Sequence, residues 1–369
     1  MPYRWPVASE RSIPVRAGTA RYEVVVQAGL LDRLGPLLAK RLPCTRAAVV
    51  ADAHVAPLYL DRVRASLQEA GIEALPVVIP AGEAAKSFDT LRLIYDAILP
   101  AGIERSTPML ALGGGMTTDL AGFAAATMLR GVPFVPVPTS LLGMVDASVG
   151  GKTGINHATG KNLIGAFHQP ALVLMDPATL TTLPPRELRN GLAEVIKHYI
   201  IRDARGFARF EARVADALRP DVGMLTETIA ENVAIKTAFV EADPHEQGVR
   251  AHLNFGHTFG HALEKVTGYA LPHGEAVALG MCCAMHAGVE MGLCQPATRD
   301  RVAALIASAE LPTRVEGIDV DAAIAAMWSD KKVKAGKLRF ILTERIGSVI
   351  VRDDVPEPVV RGALASICR

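Results

Sequence analysis

The order of the predicted elements constrains the fold of this chain more than any other feature. Up to about residue 183, short apolar β-branched runs alternate with amphipathic helical stretches such as Ala56–Ala70 and Asp89–Ala97. This alternation is typical of a parallel sheet that helices cover on both faces. The runs that we predict as buried strands are Arg46–Ala51, Leu75–Ile79, Met109–Leu112, Phe134–Val137 and Leu172–Met175.

From Pro184 onward, long helical patterns replace the alternation. At about 150 residues per domain, the 369 residues predict two domains. We predict an α/β domain at residues 1–183 and a mostly helical, all-α domain at residues 184–369, with a late hairpin formed by Lys337–Leu342 and Ser348–Val351. The helical patterns are Arg186–Ile201, Ala204–Arg213, Met224–Val240, His257–Val266, Gly274–Met291 and Ala297–Ala309.

Composition excludes several classes of protein. Half of the residues are hydrophobic, so the chain is neither disordered nor a small disulfide scaffold. The formal charge of +1 gives no global attraction for nucleic acid or anionic membranes. Five cysteines without a C-x-x-C pair, and no apolar signal segment in residues 1–11, predict a cytoplasmic protein. The most apolar stretches, Leu120–Leu129 and Ala276–Met285, are shorter than the ~20 residues that a bilayer span needs.

A glycine-rich segment, Gly113 to Gly115, follows the predicted strand Met109–Leu112 and opens a helix. Glycines there let backbone N–H groups approach a phosphate at the positive end of the helix. The segment is not G-x-G-x-x-G, and the acidic residue expected about 20 positions later is missing. A nucleotide-binding loop and an ordinary strand–helix turn therefore both stay open.

A second glycine segment, Gly150-Gly151-Lys152-Thr153, resembles the end of a P-loop. Asp146 stands where that motif requires glycine, which excludes a P-loop NTPase. The polar run around the segment favours a loop that closes over a polar ligand, rather than a solvated loop. Its polar residues are Asp146, Ser148, Lys152, Thr153, Asn156, Lys161 and Asn162.

Histidines and a carboxylate in the helical half predict a metal site. His257 and His261 lie four residues apart on one helix face, His273 follows, and Glu194 lies on another helix beside Lys197. Two histidines and one carboxylate with an open position are a usual ligand set for a catalytic divalent ion such as zinc. Spacing alone selects His257 and His261 as the histidine pair.

Basic residues in apolar surroundings form a further group, because unpaired charges are costly there. Lys197 shares a helix face with Glu194, and Arg250 lies in the histidine segment. We therefore expect a polyanion to bind beside the metal. The group comprises Arg130, Lys152, Lys161, Lys197, Lys236, Arg250, Lys331 and Lys332.

Long sequence blocks resemble the 3-dehydroquinate synthase family, within the wider sugar phosphate cyclases. The resemblance covers roughly residues 20 to 355. The blocks are PAGEAAKSFDT, GGGMTTDLAGFAAATMLRG, PTSLLGMVDASVGGKTGINHATGKNLIGAFHQP, LPPRELRNGLAEVIKH, NFGHTFGHALE, HGEAVALGM and DKKVKAGKLRF.

The resemblance implies a Rossmann-like N-terminal domain that holds NAD, a helical C-terminal domain, an active site in the cleft and a homodimer. It implies one divalent metal, zinc or cobalt, on Glu194, His257 and His273, with His261 near the substrate instead. That choice replaces the pair selected by spacing. The implied NAD contacts are Asp52, Glu83, Lys86, Gly115, Met116, Thr117, Thr118, Asp119, Thr139, Ser140, Lys152, Lys161, Thr179 and Thr182.

The implied reaction converts 3-deoxy-D-arabino-heptulosonate 7-phosphate to 3-dehydroquinate and phosphate. Bound NAD transiently oxidises C5, phosphate leaves, the hydride returns, and an intramolecular aldol closes the carbocycle. Arg250 would hold the substrate carboxylate, and lysines with Arg130 would hold the phosphate, Arg130 from across the dimer interface. The implied substrate and catalytic residues are Arg130, Asp146, Lys152, Asn162, Lys197, Lys236, Arg250, Asn254, His261, Lys331 and Lys332.

Three departures from the family pattern lie on the nucleotide side. Many relatives have an aliphatic–Gly pair at Thr117-Thr118, an acidic residue at Ala81 and Asn at His54. These departures leave the detail of the NAD contacts open.

Three other functions stay open. Aminodehydroquinate synthases share nearly all of these residues, metal-dependent NAD polyol dehydrogenases share the two-domain plan, and a non-catalytic binding protein of this fold is a third possibility. Relatives that cyclise sedoheptulose 7-phosphate alter the Arg–Asn–His set. Because Arg250, Asn254 and His261 are all present here, the resemblance favours the acid substrate.

Overall fold

The computed structural model describes residues 10–328 and 338–368. The chain divides into two compact units. The first contains the described residues up to Leu183 together with Val222–His245, and the second contains Pro184–Asp221 together with the described residues from Glu246 onward.

The first unit is built on a parallel sheet of four strands, β3 (Arg46–Asp52), β4 (Glu73–Ile79), β5 (Met109–Gly113) and β6 (Phe134–Pro138). Their order in the sheet is β4-β3-β5-β6. The helices of this unit are α1 (Leu34–Arg41), α2 (Ala56–Glu69), α3 (Phe88–Ile98), α4 (Gly115–Thr127) and α8 (Val222–Ala242).

Both faces of this sheet are buried, which explains why its strands are continuous apolar runs. In β3, Val49 and Ala51 pack into one apolar cluster with side chains of α1 and α2. Ala48 and Val50 point to the opposite face and pack with side chains of α3 and α4. The two clusters are the cores that hold the carboxyl ends of the strands in place.

Smaller sheets complete the first unit. Strands β1 (Arg11–Ala17) and β2 (Ala20–Val26) pair antiparallel, and β9 (Val173–Met175) joins β2 in parallel. A π-helical turn at Gly143–Ala147 precedes an antiparallel hairpin. The hairpin strands are β7 (Lys152–His157) and β8 (Gly160–Phe167).

The second unit is mostly helical, with one antiparallel hairpin. Its helices are α5 (Pro185–Arg202), α6 (Ala204–Glu211), α7 (Val214–Leu218), α9 (His257–Val266), α10 (His273–Glu290), α11 (Pro296–Ser308), α12 (Val320–Trp328) and α13 (Glu357–Ile367), and its strands are β10 (Phe340–Arg345) and β11 (Ser348–Arg352).

The predicted fold class, a parallel-sheet α/β part and a mostly helical part, is confirmed. The sequence predicts a single boundary at residue 184. Helix α8 comes after that boundary in the chain but belongs to the first unit. The backbone N–H of Arg16, in β1, donates to Oε1 of Glu241, in α8, over 2.8 Å. The sequence pattern predicts a helix here but does not indicate which elements that helix packs against.

The polar run after Asp146 was expected to be a loop, but residues 152–167 form the β7–β8 hairpin instead. Gly154 and Gly165 face each other in this hairpin, where a side chain on either would meet the backbone of the other strand. All five cysteines are free thiols. No helix in the described parts of the chain combines the length and apolarity that crossing a bilayer requires.

Candidate functional site: a carboxylate and two imidazoles, and a nucleotide loop

Three helices of the second unit bring Glu194, His257 and His273 together. Glu194 lies on α5, His257 starts α9, and His273 starts α10. Glycines permit the close approach: a Cβ on Gly260 would lie 3.0 Å from the Ala276 carbonyl oxygen, and one on Gly274 would lie 2.6 Å from Oδ1 of Asn190. Without side chains at these two contacts, α10 packs directly against α9 and α5.

The two imidazoles face the same carboxylate oxygen. Nε2 of His257 lies 3.6 Å from Oε1 of Glu194, and Nε2 of His273 lies 3.7 Å from it. Glu194 is fully buried. Distances of this size leave room for an ion between the three groups, and the three potential ligand atoms lie within 4.8 Å of one another. The residues therefore fit a divalent metal.

The Nδ1 atom of each ring also faces an oxygen atom. Nδ1 of His257 lies 3.1 Å from the carbonyl oxygen of Phe255, and Nδ1 of His273 lies 3.6 Å from Oε2 of the buried Glu264. When the ring is neutral, an acceptor at Nδ1 favours the tautomer in which Nε2 carries the lone pair that a metal would bind.

The site is strongly charged. The ammonium of Lys197, one turn along α5, forms an ion pair with Glu194, and both side chains are buried. Burial lowers the pKa of His273, but the hydrogen bonds and charges of Glu194 and Glu264 outweigh it and raise the pKa to about 9. In the absence of metal, His273 is thus an imidazolium at neutral pH.

His261 does not join His257 as a ligand pair. Among the described residues, His261 falls in a separate potential group with Glu264 and His273. The ring centroid of His257 lies 5.3 Å from that of His261 and 5.3 Å from that of His273, so ring distances do not choose between the two pairs. The potential ligand groups place His257 with Glu194 and His273, which is the set that the family resemblance implied.

The glycine-rich segment Gly113 to Gly115 lies at the carboxyl end of β5, beside the carboxyl end of β3, where the strand order of the sheet reverses. Ligands of open α/β sheets bind at such switch points. Asp52 ends β3, and its Oδ1 accepts hydrogen bonds from the backbone N–H groups of His54 and Val55. Its Oδ2 accepts a hydrogen bond of 2.9 Å from Oγ1 of Thr117, in the first turn of α4. The segment therefore fits a dinucleotide phosphate at the α4 N-terminus.

A buried cation lies beside this turn. Nζ of Lys86 contacts Oδ2 of Asp119 at 2.5 Å and also donates to the side-chain oxygen of Asn162. Burial raises the pKa of the Asp119 carboxyl, and the adjacent Lys86 ammonium acts against that rise. Asn162 holds a left-handed backbone, with φ of +57°, at this contact. The structure thus brings Asn162, a predicted substrate residue, into contact with Lys86, a predicted NAD contact.

Two other predicted NAD contacts form side-chain hydrogen bonds within the first unit. Glu83 accepts from the Asn156 amide over 2.7 Å, and Thr182 contacts the Tyr59 hydroxyl at 2.5 Å. The rest lie in the following places. Gly115, Met116 and Thr118 are in the first turn of α4, Thr139 and Ser140 follow β6, Lys152 and Lys161 lie on β7 and β8, and Thr179 lies in the 3-10 turn Pro177–Thr182.

Of the predicted substrate residues, Asp146 and Lys236 meet in the first unit, where Nζ donates to Oδ1 over 2.6 Å. In the second unit Arg250 is buried, and the Asn254 amide donates to Glu246 over 2.8 Å. Arg130 is exposed, with φ of +67°. Lys331 and Lys332 lie outside the described residues.

Sequence reasoning missed two acidic residues. Glu264 follows His257 by seven positions and His261 by three, a spacing that keeps all three on one helix face and could have revealed it. Glu246 lies in an irregular segment with φ of +57°, and no sequence signal marks its contact with Asn254.

Family models match most of the chain. A model described as 3-dehydroquinate synthase N-terminal matches residues 76–190, and one described as 3-dehydroquinate synthase C-terminal matches residues 191–333. The chain belongs to the 3-dehydroquinate synthase family. A 3-dehydroquinate synthase from Symbiobacterium thermophilum is 46% identical over 355 residues, which cover 95% of this chain and 99% of the relative.

Solved structures extend the family comparison. A 2-epi-5-epi-valiolone synthase from Streptomyces hygroscopicus subsp. jinggangensis, with NAD+ and Zn2+ bound, is 32% identical, with a TM-score of 0.88, and the match covers 98% of this chain and 99% of that chain. A probable glycerol dehydrogenase from Sinorhizobium meliloti is 19% identical, with a TM-score of 0.63 over 92% of this chain and 94% of that chain. The second similarity shows a shared fold alone.

Proposed function

We propose that this chain catalyses the 3-dehydroquinate synthase reaction, from 3-deoxy-D-arabino-heptulosonate 7-phosphate to 3-dehydroquinate and phosphate. The observation that carries the proposal is the Glu194, His257 and His273 cluster in a chain of this family. Nearly full-length identity of 46% to a 3-dehydroquinate synthase supports the same activity.

Glu194, His257 and His273 would hold one divalent ion, zinc or cobalt, because two imidazoles and a carboxylate suit such ions. The α4 N-terminus with Asp52 and Lys86 would hold NAD. The relative that is 32% identical carries NAD+ and Zn2+, which supports both assignments. When bound, NAD+ accepts and returns a hydride and the ion polarises a substrate hydroxyl.

The chain's own cations prepare the site for a doubly anionic substrate. Lys197 forms an ion pair with Glu194, whose carboxylate is the form that binds a metal. Arg250 presents a buried guanidinium, whose planar fork suits a carboxylate. Lys236 would act beside Asp146, with which it pairs.

The remaining predicted substrate residues keep the roles that the resemblance implies. Lys152, Asn162, Asn254 and His261 would bind substrate or assist catalysis. Arg130, Lys331 and Lys332 would contribute positive charge for the phosphate. The assignment of NAD to residues 1–183 and of metal to residues 184–369, the homodimer and the cytoplasmic location also stay predictions.

A substrate comparison tests the proposal against its alternatives. The kcat/KM for the heptulosonate phosphate should exceed that for sedoheptulose 7-phosphate by at least about 30-fold, since a buried charge pair contributes about 2–5 kcal/mol. Arg250→Lys should narrow this ratio. A higher kcat/KM for the amino analogue of the heptulosonate would instead assign an aminodehydroquinate synthase, and stoichiometric NADH with product would assign a polyol dehydrogenase.

A further inference from the structure

His273 lies between two carboxylates that face opposite nitrogens of its ring. Nε2 lies 3.7 Å from Oε1 of Glu194, and Nδ1 lies 3.6 Å from Oε2 of Glu264. Glu264 is 5% exposed and comes from α9, the helix that also carries His257. A buried carboxylate is costly unless it interacts with a donor or a cation, so its position against an imidazole calls for an explanation.

His257 has the same arrangement with a different acceptor. Its Nδ1 lies 3.1 Å from the Phe255 carbonyl oxygen, and its Nε2 lies 3.6 Å from Oε1 of Glu194. Both rings therefore turn Nε2 toward one carboxylate oxygen and Nδ1 toward an acceptor. Histidine ligands of metals use such acceptors to fix their tautomer and to increase their basicity.

We propose that Glu264 is a positioning residue for the metal site: its carboxylate presents an acceptor oxygen 3.6 Å from Nδ1 of His273 and holds Nε2 toward the ion. This inference rests on the proposed metal site of Glu194, His257 and His273. Glu264 itself does not bind the ion. The carboxylate gives Nδ1 of His273 a charged acceptor, whereas Nδ1 of His257 faces a backbone carbonyl.

The rival assignment makes Glu264 a ligand. His261, Glu264 and His273 also form a group whose potential ligand atoms lie within 4.8 Å of one another. Glu194 faces two imidazole nitrogens, however, and Lys197 balances its charge. The geometry thus favours Glu194 as the ligand, and the two assignments differ in which substitutions remove metal.

Zinc affinity of the metal-free full-length protein tests the proposal, by competition with a chromogenic chelator. The variants are Glu264→Ala, Glu264→Gln, Glu194→Gln and His261→Ala. Glu275→Gln is the matched control, because it removes one carboxylate two residues from His273, where Glu275 pairs with Arg186 on the surface. Circular dichroism and the thermal midpoint check that each variant folds.

We expect Glu264→Ala to weaken zinc binding by about 10–100-fold, the usual effect of losing an outer-shell partner. Glu264→Gln should lie between Glu264→Ala and wild type, because its amide oxygen still accepts the Nδ1–H without the charge. Glu194→Gln should weaken binding more than either. The visible spectrum of the cobalt-loaded Glu264 variants should keep the wild-type coordination number. His261→Ala and Glu275→Gln should bind zinc as wild type does.

Three results would overturn the inference. Zinc affinity of Glu264→Gln equal to that of Glu275→Gln would remove the positioning role, even if Glu264→Ala does not fold. Loss of zinc in both Glu264→Ala and His261→Ala, with binding retained in Glu194→Gln, would make Glu264 a ligand. A wild-type protein that binds no zinc would overturn the proposed metal site as well, which separates that failure from the first two.

Discussion

The hydroxyl of Thr117 donates a 2.9 Å hydrogen bond to Oδ2 of Asp52. This contact joins the end of β3 to the first turn of α4, and both side chains are buried. Thr117 is one of the positions at which the resemblance implies a departure from the family pattern. The chain therefore fixes the orientation of a predicted NAD ligand with a hydroxyl of its own.

Thr117→Val should weaken NAD binding about tenfold. Valine keeps the shape but removes the donor, and a hydrogen bond to a charged group contributes about 1.5–3 kcal/mol. Part of this free energy is lost from the stability of the folded chain and not from NAD binding. NAD titration by tryptophan fluorescence or calorimetry measures the change.

Thr127→Val is the control, because Thr127 is an exposed residue of the same helix that bonds to the Phe123 carbonyl. Equal NAD affinity in Thr117→Val and Thr127→Val would show that Asp52 needs no orientation by Thr117.

Lys86→Met should destabilise the first unit by about 3–5 kcal/mol, because it leaves the Asp119 carboxyl without its counter-charge. Asp119→Asn added to Lys86→Met should restore much of the free energy of unfolding, measured with urea. NAD binding should stay weak in the double variant, since the cation is gone. If the double variant recovered both the free energy of unfolding and the NAD affinity, this would contradict a direct role of Lys86 in the NAD site.

His273→Ala and Glu194→Gln should lose metal and at least about 1,000-fold in turnover, since each removes one of three proposed ligands. Glutamine is the better test at position 194, because its amide oxygen can still accept a hydrogen bond from the buried Lys197 ammonium, whereas alanine offers no acceptor. Metal content and phosphate release measure the effect. Glu290→Gln, an exposed change on the same helix as His273, should keep both, and wild-type turnover in either ligand variant would refute the assignment.

Zinc affinity should rise with pH up to about pH 9. The pKa of His273 is raised to about 9 in the metal-free protein, so below that pH the ion must displace a proton. The apparent association constant should therefore increase about tenfold per pH unit between pH 6 and 8. Chelator-buffered titrations at three pH values measure this slope. A constant affinity over the range would show that His273 is already neutral or is no ligand.

The sequence predicted the elements whose patterns are local. The strands of the parallel sheet are continuous apolar runs, because helices cover both faces, and helices α5, α9 and α10 carry regular spacing. The β7–β8 hairpin was missed because its polar, glycine-rich residues resemble a loop. The place of α8 was missed because packing partners are set by tertiary contacts.

The sequence likewise predicted only part of the candidate site. The spacing of His257 and His261 on α9 could be recognised in the sequence. His273 comes from α10, and only the fold shows that its ring lies beside that of His257. The family resemblance supplied that assignment before the geometry did. The proposed role of Glu264 depends on the orientation of one imidazole, which no sequence pattern records.

The most direct test of the proposed function follows 3-deoxy-D-arabino-heptulosonate 7-phosphate with the purified protein, with and without NAD+ and a metal chelator. We predict equal amounts of phosphate and 3-dehydroquinate, formed only when NAD+ and metal are both present, with no net accumulation of NADH. Phosphate release that is indifferent to both NAD+ and chelator, or a product without a carbocycle, would contradict the account.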